Sequence, residues 1–104
     1  MISEQALTDA LAEHVMGWKV TPDRFIKSGR SWLPKWRFAP LSRLDDAFQL
    51  LDRSGSTYKL EREDGDSFRA EVHFGGRVGK ASGDAKARAI TLAVARSFGL
   101  KVDR

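Results

Sequence analysis

Four places in the 104-residue chain hold residues whose type and spacing could do chemistry. The first is GGRVGKASGD, residues 75–84, where glycines and Lys80 suggest a loop that cradles phosphate on backbone amides. The Walker pattern needs four residues between its first glycine and the Gly-Lys pair, then Ser or Thr. Here only three separate Gly75 from Gly79-Lys80, and Ala81 stands where the magnesium-binding hydroxyl belongs. The segment therefore reads as a flexible loop whose Arg77 and Lys80 could touch a nucleic-acid backbone. The second place is Asp45-Asp46, a pair that could share acid/base work. Its position at the start of a helical stretch explains it better, because acidic side chains offset the partial positive charge there. The third is His14 and His73, the only histidines of a chain without cysteine. With no HExxH they make no zinc site. No serine lies in a nucleophile elbow, and nothing calls for a cofactor or metal.

The fourth place is GRSWLPKWRF, residues 29–38, with two of the three tryptophans and three basic residues. Exposed aromatics among cations bind single-stranded nucleic acid by stacking and charge. The same composition suits a protein contact, and tryptophan in a small domain is most often buried. The candidate contact residues are Arg30, Trp32, Lys35 and Arg37, with Arg77 and Lys80 as a second patch. Trp18, Trp36 and Phe38 are expected in the core. Trp32, in a loop bounded by Gly29 and Pro34, is expected to be reachable.

The elements that must position these residues follow from periodicity. Ala6, Leu7, Ala10, Leu11 and Val15 recur at helical spacing, predicting a helix over 3–16 with Ser3 as N-cap and Gly17 as its stop. Leu44, Ala47, Phe48 and Leu51 predict a second over 43–53, with Ser42 and Asp45 as a capping box. Ala85, Ala89, Ile90, Ala93, Val94 and Phe98 predict a third over 84–98. Thr57–Arg62 and 67–74 alternate apolar and polar residues around Asp64-Gly65, the pattern of a hairpin with one wet face. Trp18-Lys19-Val20 and Trp36-Arg37-Phe38 could be short strands. The fold class is α+β: a small antiparallel sheet of three or four strands, including hairpin 57–74, packed with three helices in one domain, 1–104.

Charge alternates in blocks: −3 over residues 1–18, +6 over 19–43, −4 over 44–76 and +5 over 77–104, for a net +4. If the two basic blocks met, they would attract polyanions. The N-terminus has no basic start and no continuous apolar segment, so no signal peptide is expected. No apolar run approaches the ~20 residues of a membrane helix, and no strong basic amphipathic helix suggests a membrane surface.

LAEHVMGWKV at 11–20, APLSRLDDAFQLLDRS at 39–54, FRAEVHF at 68–74 and RAITLAVARSFGLKVD at 88–103 follow one another in an order that resembles the phage ABA sandwich domain family. The likeness spans nearly the whole chain. It implies helices around a small antiparallel sheet and a phage or prophage origin, in a family with no established activity and no catalytic residues to carry over. Arg69, Glu71 and His73 argue that one sheet face stays wet, so two-layer packing is expected over much of the sheet. Together these readings point to a non-enzymatic binding protein of the host bacterial cytoplasm, contacting a host or viral protein or nucleoprotein. An inhibitor of a bacterial defence complex, of the anti-CRISPR type, is one concrete form. The alternative is direct DNA or RNA binding by the basic blocks 19–43 and 77–104.

Overall fold

A computed structural model describes residues 3–63, 65 and 67–100. Asp64 of the expected turn lies outside them, as do Lys101, Asp103 and Arg104 of the second basic block. The fold is α+β, with three helices and two antiparallel three-stranded sheets. Among the described residues no helix is long and apolar enough to cross a membrane.

Helix α1, Glu4–His14, starts where the Ser3 hydroxyl accepts from the Ala6 amide at 3.0 Å and buries Leu7, Thr8, Leu11 and Ala12. The first sheet follows: β1 Lys19–Val20, β2 Arg24–Ser28 and β3 Ser31–Pro34, in that spatial order. Its tight hairpin turn is Gly29-Arg30, between paired Ser28 and Ser31. Gly29 takes φ 53°, which a two-residue turn demands of its first position. Trp32 therefore sits in a strand, not in the expected loop.

Trp36-Arg37-Phe38 is not a strand. Lys35–Arg37 forms a single 3-10 turn. Phe38 enters the core, while Trp36 faces solvent at 71% exposure instead of packing inside. The tighter winding replaces strand alternation, so the two aromatic rings part company.

Helix α2, Leu44–Ser54, carries Ala47, Leu50 and Leu51 into the core and ends at Gly55 with φ 70°. The expected Ser42–Asp45 capping box is absent. Arg43 is the capping residue, and the Ser42 hydroxyl bonds back to the Ala39 carbonyl. Asp46 instead accepts from the Ala39 amide at 2.9 Å, tying the incoming chain to the first helical turn.

The second sheet is β4 Thr57–Arg62, β5 Phe68–Phe74 and β6 Arg77–Gly83. Strand β6 occupies what reads in sequence as a flexible, phosphate-type loop. Gly75 and Gly76, at φ 55° and 82°, form the turn between paired Phe74 and Arg77. Two consecutive positive φ values suit a tight hairpin and explain both glycines.

Helix α3, Lys86–Ser97, lies across β5 and β6 on one side and meets α2 on the other. It buries Ala87, Ala93, Ala95 and the run between Ala89 and Ala93. Its small side chains let it come very close to β6. A methyl group at Gly79 would fall on the Ala93 carbonyl and the Ser97 amide, neither of which can yield without moving the helix. Opposite α3, the sheet presents Lys59, Arg69, His73, Val78, Lys80 and Ser82 to solvent, the expected wet face. Overpacking of this kind costs about 1–3 kcal/mol. Gly79→Ala is therefore expected to lower the urea midpoint of unfolding markedly; an unchanged midpoint would show that α3 is not seated as described.

Candidate macromolecule-binding surface

The first sheet has two unlike faces. Its inner face carries Val20, Phe25 and Leu33, which pack on the core. Phe25 is fully buried and lies 5.9 Å from Trp18 and 5.7 Å from Phe38, ring centre to ring centre. Trp18 meets Phe38 edge-on at 5.0 Å, closing an aromatic triad that fixes the sheet to the rest of the molecule.

The outer face follows from the same alternation. Lys19 opposes Ile26, Ile26 opposes Trp32, and Arg24 opposes Pro34. Trp32 is 50% exposed. The Arg24 guanidinium lies 4.1 Å from the centre of its ring, a cation–π contact. Arg24 is itself held: its Nη2 donates to Asp23 Oδ2 at 3.1 Å, and its backbone amide donates to the Thr21 hydroxyl at 3.2 Å. The Arg24 bond, then the Thr21 hydroxyl, holds the Asp23 carboxyl below the ordinary carboxylate range. The 3-10 turn adds Trp36, with the Arg37 guanidinium 5.6 Å from its ring centre. Arg30 stands exposed at the hairpin tip.

The candidate residues thus divide. Arg30 and Trp32 lie on the hairpin of the first sheet, and Arg37 lies on the turn that follows it, beside Trp36. Lys35 is drawn away: its Nζ donates to Asp9 Oδ1 at 2.9 Å and lies 4.9 Å from the Phe25 ring centre. That ion pair lines an open cleft of about 630 Å³ with Gln5, Thr21 and Pro22, and ties the turn to α1. Arg77 and Lys80 do not form a second patch together. Three positions apart on a strand, they point to opposite faces. Arg77 reaches Gly99 at the end of α3, while Lys80 stands on the wet face 4.0 Å from Glu71. They also lie in the second sheet, whereas Arg30 and Trp32 lie in the first. Arg24, not among the candidates, is part of the sheet's outer face; Trp36, also not among them, is exposed on the turn, where it lines a hollow with Glu4, Gln5 and Thr8 of α1. The Ser-Gly-Arg-Ser turn between Phe25-Ile26 and Trp32-Leu33 is the sequence feature that could have revealed Arg24.

A second cluster of cations, Arg69, Lys80 and Arg96, lines a shallow hollow of about 440 Å³ at the edge of β6. Two of its charges are offset, Arg69 lying 3.3 Å from Glu63 and Lys80 near Glu71, while Arg96 donates to the neutral Lys80 carbonyl. Among the described residues, no three metal-ligating side chains gather.

A solved phage protein shares this fold. The crystal structure of that protein, from Bacillus cereus ATCC 14579, matches with a TM-score of 0.79 at 18% identity, over 99% of this chain and 94% of that one. No family model matches the chain, and no curated protein matches its sequence.

On the wet face His73 Nε2 and Glu71 Oε2 are 2.6 Å apart. That bond, more than nearby Lys80, holds the Glu71 carboxyl below its ordinary value. A depressed carboxyl favours the fold above its unfolded pKa and loses that effect as pH falls through the folded value. In carbon-detected NMR titrations Glu71 is expected to titrate below the ordinary range and to move back up in His73→Ala. An identical midpoint in both proteins would remove His73 as the cause.

Proposed function

We propose that this chain is a small phage-derived protein that acts by binding a host or viral macromolecule, through the outer face of β1–β2–β3 and the adjoining 3-10 turn. The observation that carries this reading is the pair of solvent-exposed tryptophans, Trp32 and Trp36, each with a guanidinium beside it. Large exposed aromatics grouped with arginine are what binding hot spots are made of. The sheet whose other face holds the buried Phe25 gives Trp32 a rigid support. The shared fold with a phage protein and the resemblance to the phage ABA sandwich family support the phage origin. Inhibition of a bacterial defence complex is one form such binding takes.

Contact, not catalysis, is the role that these residues suit. The titratable groups around the Asp9–Lys35 cleft are already paired with each other. The surface offers instead shape, aromatic area and positive charge.

Tagged protein in lysates of phage-infected bacteria should retain a partner that Trp32→Ala/Trp36→Ala fails to retain. Both tryptophans are exposed, so the variant should keep its far-ultraviolet circular dichroism. Equal retention by wild type and variant, or retention of nothing, would sink this reading.

A further inference from the structure

Resting on that reading, we infer that the ligand of this surface is single-stranded nucleic acid, stacked on Trp32 and Trp36 and held by phosphate contacts from Lys19, Arg24, Arg30 and Arg37. The argument begins with charge. Between residues 19 and 37 the sequence has six cations and one acidic residue, Asp23. Asp23 is bonded to Arg24, so it orients a cation and does not repel a polyanion from a separate position. Among the described residues Lys19, Arg30 and Arg37 take part in no ion pair. Arginine beside tryptophan suits a protein partner as well, so it is the excess of positive charge, Lys19 included, that favours a polyanion. Here Arg24 lies beside Trp32 on the sheet and Arg37 beside Trp36 on the turn, where Glu4 is the one acidic residue lining the same hollow.

The rings decide between single strand and duplex. Trp36 is largely exposed, and half of Trp32 is exposed beside the Arg24 guanidinium. An exposed ring face on a sheet gains most from an unstacked base, with arginine adding cation–π attraction. In a duplex the bases already stack on each other, and a flat face reaches only the backbone. The backbone positions of Trp32 and Trp36 are at most about 14 Å of extended chain apart, a span that a short stretch of strand covers. The structure also prepares the site. Thr21 and Asp23 hold Arg24 over Trp32, and the tight Gly29-Arg30 turn fixes Arg30 at the hairpin tip, so less order remains to be imposed on binding.

The test uses the full chain and a fluorescein-labelled thymidine oligonucleotide of about 20 nucleotides, longer than one such binding site requires, read by anisotropy. A duplex of the same length is the comparison. The single strand should bind and the duplex should bind at least about tenfold more weakly, because only the strand can stack. Four phosphate contacts give a log–log salt slope of about −3, a loss of roughly fiftyfold between about 50 and 200 mM salt. Trp32→Ala and Trp36→Ala should each weaken binding about ten- to a hundredfold, and Arg30→Glu should flatten the slope. Lys59→Ala, a charge change on the other sheet, should leave binding unchanged. No binding at low salt, equal binding of strand and duplex, or tryptophan variants that bind as wild type would overturn the inference. Tryptophan-dependent retention of a protein from nuclease-treated lysate, with no oligonucleotide binding, would overturn it too, while leaving the binding function itself standing.

Discussion

The close passage of α3 over β6 is the constraint on which the rest of the structure depends. At residue 79 the strand backbone and the helix backbone are separated by less than a methyl group. Only glycine permits this, and it does so here by lacking a side chain, since its φ is not in the left-handed region. The helix answers with alanines at 87, 89, 93 and 95, all buried. A helix so close buries its polar groups as well as its apolar ones, and each finds a partner. The Ser97 hydroxyl donates to the Val94 carbonyl, and the Thr91 hydroxyl donates to Pro40 at 2.7 Å. The Thr91 bond links the scaffold to the segment that leads into α2. Through it, the depth at which α3 sits sets where the chain between the 3-10 turn and α2 can run.

The two sheets consequently do different work. The second is a platform: one face is sealed by α3, and the other carries cross-strand charges such as Lys59, Glu71 and Lys80 that satisfy one another. The first sheet is too short to be stable alone. Its anchor is the triad of Trp18, Phe25 and Phe38, reinforced by the Lys35–Asp9 pair. With its inner face so occupied, its outer face is left to solvent. An aromatic residue there contributes little to the core, which is why Trp32 is half exposed while the equally large Trp18 packs against Phe25 and Phe38.

Long-period patterns were readable in the chain and short-range geometry was not. The three helices and the β4–β5 hairpin follow from apolar spacing sustained over ten or more residues, and they lie within two residues of the expected bounds. Strand β6 was hidden because glycine at 75, 76, 79 and 83 imitates a loop. Two of those glycines are a turn, and Gly79 is a packing requirement, a distinction visible only once α3 is in place. Trp36-Arg37-Phe38 alternates like a strand, yet three residues are too few to separate alternation from a 3-10 turn. The same ambiguity placed Lys35 at the surface, because its partner Asp9 lies 26 residues away and no local pattern joins them. Arg30, Trp32 and Arg37 were readable as a group because composition alone marks them.

What composition could not supply is the orientation of Arg24. A guanidinium on a mobile side chain beside a tryptophan would lose entropy on binding any ligand. Here that order is present in the folded chain. The Thr21 hydroxyl accepts from the Arg24 amide and shares its one proton between the Arg24 carbonyl and Asp23 Oδ1, closing a small ring around the turn. Asp23, its carboxyl kept ionised by the same contacts, grips the guanidinium from the side. Pro22 restricts the backbone between them. The four residues Thr21–Arg24 thus convert an ordinary turn into a mount for one cation over one aromatic ring. Threonine, proline and aspartate are residues that suit a short turn in their own right, so the same bonds that connect β1 to β2 also set the cation. The cost of ordering that pair is met by folding, so a ligand that uses it meets a surface already set.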